Sequence, residues 1–136
     1  MIDNTGRHYD RAKFKDPTAI KAISLASKNK YGNKKLVIDD HKFDSKREAR
    51  RYQELKMMLH AGMITDLELQ KPFVLQETCK NGNGETVRRI KYVADFVYKQ
   101  NGITIVEDTK GFRTKDYIIK RKWFEHKFYP LVIREI

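Results

Sequence analysis

The 136-residue chain has one cysteine, Cys79, so it holds no internal disulfide framework and no cysteine-built zinc cluster. Its four histidines, His8, His41, His60 and His126, are scattered and form no His-x-x-x-His pair, which argues against a histidine-built zinc site. No apolar run approaches ~18 residues, so no segment is expected to span a membrane. The opening stretch, MIDNTGRHYDRAKFKD, lacks the apolar centre of a secretory signal. A cytoplasmic protein with no membrane partner is therefore expected. No internal repeat or low-complexity tract appears, and 40 % hydrophobic residues are enough for the core of one domain.

Positive charge is abundant. Against 18 acids stand 29 Lys and Arg, a formal net charge of +11. Such an excess points to a polyanionic partner, with nucleic acid first and an anionic membrane surface second. Its distribution is uneven. Residues 1–35 hold nine bases and three acids, residues 36–109 hold twelve of each, and residues 110–127 hold seven bases and two acids. The middle of the chain is neutral, so the charge belongs to two particular regions.

Residues 1–35 read as a basic N-terminal arm. Asp16-Pro17 is an N-cap followed by proline at the first helical position, opening a short helix to about Ser27. A basic loop over residues 28–35 follows. Residues 36–136 read as the folded domain. Leu36-Val37-Ile38 and Phe43 flank Asp39-Asp40 as a small hairpin, and the two aspartates with His41 are read as a turn, not a metal site. Ser45 and Glu48 have capping-box spacing at the start of a helix over residues 45–61. Ala49, Tyr52, Leu55 and Leu59 give that helix its apolar face, and Gly62 ends it. A strand is expected over residues 67–75, with Pro72 marking an edge or a bulge. Asn81-Gly82-Asn83-Gly84 is a turn. Strands over residues 87–98 and 103–110 flank Asn101-Gly102, a strong hairpin signal. Thr114 caps a helix to about Lys127, with Tyr117, Trp123, Phe124 and Phe128 on its apolar side. Pro130 stops it before a last strand over residues 131–136. From Ser45 the order is α-β-β-β-α-β, an α/β (α+β) pattern.

The Asn101-Gly102 turn fixes a register. Gln100 pairs with Ile103, Val97 meets Val106, Asp95 meets Asp108 and Val93 meets Lys110. Alternation places Asp95, Asp108 and Lys110 on one face, among Val93, Val97 and Val106. Two facing carboxylates among valines repel each other and lose hydration, so a cation, a proton or Lys110 must compensate. A hard divalent cation with oxygen ligands fits best. Glu48 shares a helix face with Tyr52, Leu55 and Leu59. It serves either this site or the cap with Ser45. Glu107 falls on the opposite face beside Phe96 and reads as structural.

Asp95, then Asp108-Thr109-Lys110 after a short hairpin, between a helix bearing Glu48 and a second helix, resembles the PD-(D/E)XK nuclease superfamily. The stretches Lys30-Tyr31-Gly32-Asn33-Lys34, Phe43-Asp44-Ser45-Lys46-Arg47-Glu48, Tyr92-Val93-Ala94-Asp95-Phe96 and Val106-Glu107-Asp108-Thr109-Lys110-Gly111 are similar to a family of small phage-encoded proteins of that superfamily. Ala94 stands where the superfamily motif has proline. The resemblance implies a restriction-endonuclease-like core with a mixed sheet flanked by helices. It also implies a Mg²⁺- or Mn²⁺-dependent deoxyribonuclease using one or two ions, in a phage protein inside a bacterial host cell. Asp95 and Asp108 would ligate the metal with the carbonyl of Thr109, and Glu48 would bind it directly or through water. Lys110 would orient the attacking water and stabilise the transition state. A Holliday-junction resolvase-like, structure-selective enzyme acting as a homodimer is the favoured subtype, ahead of a nicking or other non-sequence-specific nuclease. The alternative of another class is a non-catalytic DNA-binding protein on a degenerate core. Such a protein would be expected to have lost one of Asp95, Asp108 and Lys110.

Candidate DNA contacts follow from the charge. They are Lys28, Lys30, Tyr31, Lys34 and Lys35 in the basic loop, Lys46, Arg47 and Arg50 on the first helix, and Arg113, Lys115, Tyr117 and Lys120 on or before the second. No helix-turn-helix or zinc finger is present, so recognition by shape is expected.

Overall fold

The computed structural model describes residues 24–28 and 34–136. The chain divides into two compact units, residues 1–51 and 52–136.

In the first unit, β1 (Ser24–Lys28) pairs antiparallel with β2 (Lys34–Ile38), which pairs antiparallel with β3 (His41–Phe43). Asp39 and Asp40 turn the chain between β2 and β3, both at positive φ, 50° and 65°. This is the twist a two-residue hairpin needs, and aspartate tolerates it better than most residues. Leu36, Ile38 and Phe43 are buried. The helix expected through Ser27 is not formed at its end, because residues 24–28 are a strand. Backbone pairing with β2, Leu25 opposite Leu36, overrides the weak helical stripe. The rest of that helix, with Lys30 and Tyr31, lies outside the described residues.

Helix α1 (Lys46–His60) opens on the expected cap. Ser45 Oγ accepts from Glu48 N at 3.1 Å, and Glu48 Oε2 accepts in return from Asp44 N at 3.0 Å. The reciprocal bond lands one residue earlier than in a standard capping box. Ala49, Tyr52 and Leu55 are buried. Gly62, at φ +73°, ends the run in a conformation other residues resist.

The second unit is built on a four-stranded mixed sheet in the order β4-β7-β8-β9. Strands β4 (Thr65–Gln76), β7 (Ile90–Gln100) and β8 (Ile103–Asp108) are antiparallel, and β9 (Ile133–Glu135) runs parallel to β8. Pro72 lies on β4, an edge strand, the position in a sheet where proline is tolerated. A small hairpin, β5 (Cys79–Lys80) and β6 (Thr86–Val87), stands between β4 and β7. Its tip is closed by Asn81, whose Oδ1 accepts from the N–H groups of Asn83 and Glu85, both at 2.9 Å. Helix α2 (Lys115–Lys127) packs on β4 and β7, with Thr114 Oγ1 accepting from Tyr117 N as its cap. Leu75, Tyr92, Ala94, Val97, Val106, Tyr117, Phe124 and Ile133 form the core. Phe124 meets the rings of Phe73 and Tyr92 at 4.9 and 5.2 Å. The fold is therefore mixed α+β. Among the described residues, no helix is long and apolar enough to cross a membrane.

Candidate active site

The hairpin register is the one expected from Asn101-Gly102. Gln100 pairs with Ile103, Val97 with Val106 and Phe96 with Glu107. Asp95 and Asp108 stand one step past the last of these pairs, where β8 leaves the ladder. There Thr109 turns its donors on Asp95: its N–H reaches Oδ2 at 2.7 Å and its hydroxyl reaches the same oxygen at 2.6 Å. Gln70 Nε2 donates to Asp95 Oδ1 at 3.2 Å.

The expected ring of valines is only partly present. Val97 and Val106 are in the core, but Val93 is not, and Tyr92 and Ala94 are. Ala94 and Val97 lie three residues apart yet share one cluster, which strict alternation forbids. The strand changes face at Asp95. Opposite it stands Gln70, between the paired residues Leu69 and Lys71, with φ +50°. Gln70 holds this left-handed conformation within an unbroken register, and its amide reaches the carboxylate.

Asp108 is 1 % exposed. Tyr92 donates its hydroxyl proton to Oδ2 at 2.7 Å. Lys110 Nζ stands 3.1 Å from Oδ1 at ion-pair distance, yet Oδ1 receives no well-directed hydrogen bond. Burial pushes the carboxyl up to about 6, and the charge of Asp95 adds to the push. The Tyr92 bond and the Lys110 charge pull partly the other way. Burial, followed by the Asp108 charge, also drives the Tyr92 phenol far above its ordinary value, so it remains a donor.

Lys110 is held from behind. Its Nζ sits 4.6 Å from the centre of the Tyr117 ring, a cation–π contact. Tyr117 is buried and donates to Glu135 Oε1 at 3.0 Å, and Glu135 is bound by both Arg113 and Arg121. This corrects the expectation that Tyr117 contacts DNA: its ring lies under Lys110 and its hydroxyl is engaged. Arg113 belongs to the same network. Lys120 pairs with Asp116 at 3.2 Å, and Lys115 is exposed. Glu107 is fully buried, accepting from the Tyr98 hydroxyl at 2.6 Å with Arg134 at 3.6 Å, so its structural reading agrees with what is observed. In the first unit, Glu48 is buried and its Oε2 takes part in the helix cap. Lys28 and Lys34 pair across the ends of β1 and β2. Lys35 is 3.8 Å from Asp44, and Lys46, Arg47 and Arg50 are exposed on α1.

Among the described residues, no three His, Cys, Asp or Glu side chains form a ready-made metal cluster. Asp95 and Asp108 nevertheless suit a hard cation. They are two neighbouring oxygen donors, one bearing a buried oxygen without a hydrogen bond and a carboxyl that resists ionising without added positive charge. Gln70, Tyr92 and Thr109 complete the surroundings. Tyr92 carries no sequence signal as a partner of Asp108, because strict alternation puts the two on opposite faces.

A family model described as "Protein of unknown function (DUF1064)" matches residues 28–135. The span includes Asp95, Asp108 and Lys110. No curated protein matches the chain, and no solved structure does.

Proposed function

This chain belongs to the DUF1064 family, and we propose that it is a divalent-cation-dependent DNA endonuclease on a PD-(D/E)XK-type core. The observation that carries this is the end of the β7–β8 hairpin. Two carboxylates stand together there, Asp108 buried and made harder to ionise by its burial and by the charge of Asp95, with Lys110, two residues later, 3.1 Å from its Oδ1. The order α1-β4-β7-β8-α2-β9 and the mixed sheet support it.

Asp95 and Asp108 would hold Mg²⁺ or Mn²⁺ with the carbonyl of Thr109. When bound, such an ion acidifies water and offsets charge on phosphoryl oxygens. Thr109 fixes the Asp95 carboxylate through two hydrogen bonds, so that donor is in place before substrate arrives. Lys110, seated over Tyr117, orients the attacking water and stabilises the charge that develops on the phosphate as water adds and the P–O ester bond breaks. A basic surface holds the DNA. Arg88, Arg89 and Lys91 are exposed beside the start of β7 and form no ion pair among the described residues. They sit in the stretch whose net charge is zero, which is why segment counting passes over them.

Replacing Arg88, Arg89 and Lys91 together by alanine is expected to weaken binding to all DNA sequences alike. It should also reduce the slope of log affinity against log salt by about 2 to 3. Fluorescence anisotropy at several salt concentrations measures this, and an unchanged slope removes these residues from the interface.

The substrate is proposed to be branched DNA, cut by a homodimer whose two sites address two strands. Labelled four-way junction, flap, nicked and linear duplex DNA, each incubated with Mg²⁺ or Mn²⁺, test it. Junction cleavage at least roughly tenfold faster than linear cleavage, a difference of about 1.4 kcal/mol in barrier, is expected. Equal cutting of all forms indicates a general nuclease. DNA that is bound and left intact indicates a non-catalytic binding protein.

A further inference from the structure

The two oxygens of Asp108 are not equivalent. Oδ2 is taken by the Tyr92 hydroxyl at 2.7 Å, while Oδ1 is buried, receives no well-directed hydrogen bond and faces only the Lys110 ammonium at ion-pair distance, 3.1 Å. Tyr92 is packed in place. It is 4 % exposed, stacked on Phe73 at 6.5 Å between ring centres and packed on Phe124 at 5.2 Å. Thr109 treats Asp95 similarly, placing two donors on Oδ2.

We infer that Tyr92 sets which cation the site prefers, by leaving Asp108 a single oxygen to give. The inference rests on reading Asp95 and Asp108 as cation ligands. Mg²⁺ is small, demands near-octahedral geometry at about 2.0–2.1 Å, keeps several waters and is satisfied by one oxygen from each carboxylate. Ca²⁺ takes about 6–8 oxygens at about 2.3–2.6 Å and gains from gripping a carboxylate by both. A carboxylate with one oxygen committed to a phenol withholds that second grip, so the advantage of the larger ion is lost.

Tyr92→Phe keeps the ring and its packing and removes only the donor. Calorimetric titration of the full chain, free of DNA, with Mg²⁺ alone and with Ca²⁺ alone reads the effect without any cleavage assay. In the wild type, Ca²⁺ is expected to bind no more than a few-fold tighter than Mg²⁺. In Tyr92→Phe, the ratio of affinities is expected to move toward Ca²⁺ by about 10-fold, the lower end of the effect expected from losing a partner of a ligand. A change in carboxylate basicity alone moves both ions together and leaves the ratio fixed. A ratio unchanged within about twofold, while both ions bind, therefore overturns the inference and leaves the cation site standing. Wild type that binds neither ion overturns both. The wild-type ratio decides the matter even if the variant fails to fold, since a preference for Ca²⁺ beyond roughly tenfold contradicts a single-oxygen Asp108.

Discussion

Asp108→Asn is expected to abolish DNA cleavage and, in the absence of cation, to make the protein more stable at neutral pH. Both effects have one origin. The carboxyl is buried, beside Asp95, and pushed from 3.8 up to about 6. Its folded value lies above its unfolded value. The stability it contributes is thus complete below the unfolded value, near pH 4, and is lost as pH rises through about 6. Cation-free wild type should lose about 2–3 kcal/mol from this group between about pH 4 and pH 7.5, since each pKa unit corresponds to about 1.4 kcal/mol. Asparagine has the same shape, still accepts from Tyr92 and carries no charge, so it should recover most of that loss at pH 7.5 and almost none at pH 4. Cleavage should fall about 10³-fold, because a ligand whose cation stabilises the transition state by several kcal/mol is gone. Thermal melts at the two pH values and strand cleavage with Mg²⁺ measure both halves. An active variant, or one destabilised equally at both pH values, would mean that Asp108 is an ordinary buried polar residue.

Lys110→Met is expected to slow cleavage about 10²- to 10³-fold while DNA affinity changes only a few-fold. Methionine retains an unbranched stem above Tyr117 and loses the charge. The ammonium stands 3.1 Å from Asp108 Oδ1 and is one of the two influences that lower the Asp108 pKa, so the variant carboxyl should titrate higher still. It is also a cation beside the oxygen a metal would use, so Mg²⁺ binding at about pH 8 should hold or tighten when it is removed. That combination separates a group acting on substrate from a salt bridge that merely neutralises Asp108. Single-turnover cleavage and Mg²⁺ titration on the same preparation test it, and full activity in the variant would leave Lys110 with only the pairing role.

Much of the hairpin was legible because one dipeptide controls it. Asn101 and Gly102 both have positive φ, and from them the pairing of Val97 with Val106 follows by counting. Both helices were legible from their caps, Ser45 with Glu48 and Thr114 with Tyr117. Alternation misplaced Val93 because it assumes regular backbone, whereas Gln70, opposite Asp95 on the neighbouring strand, has φ +50°. Tyr92 was invisible as a partner of Asp108 for the same reason. Residues 24–27 read as helix because local pattern was weighed without the strand they pair with. Tyr117 was named for the wrong partner, since the sequence shows a ring near basic residues and does not show which cation it lies under.

The most direct measurement is single-turnover cleavage of end-labelled DNA by the wild-type chain across a Mg²⁺ titration, with a chelator control and with Asp95→Asn and Asp108→Asn alongside. The expected result is strand breakage that rises with Mg²⁺, vanishes with chelator and is lost in both variants. Breakage that persists in the chelator or in both variants would contradict a cation-dependent site at Asp95 and Asp108, as would DNA that stays bound and whole at every Mg²⁺ concentration.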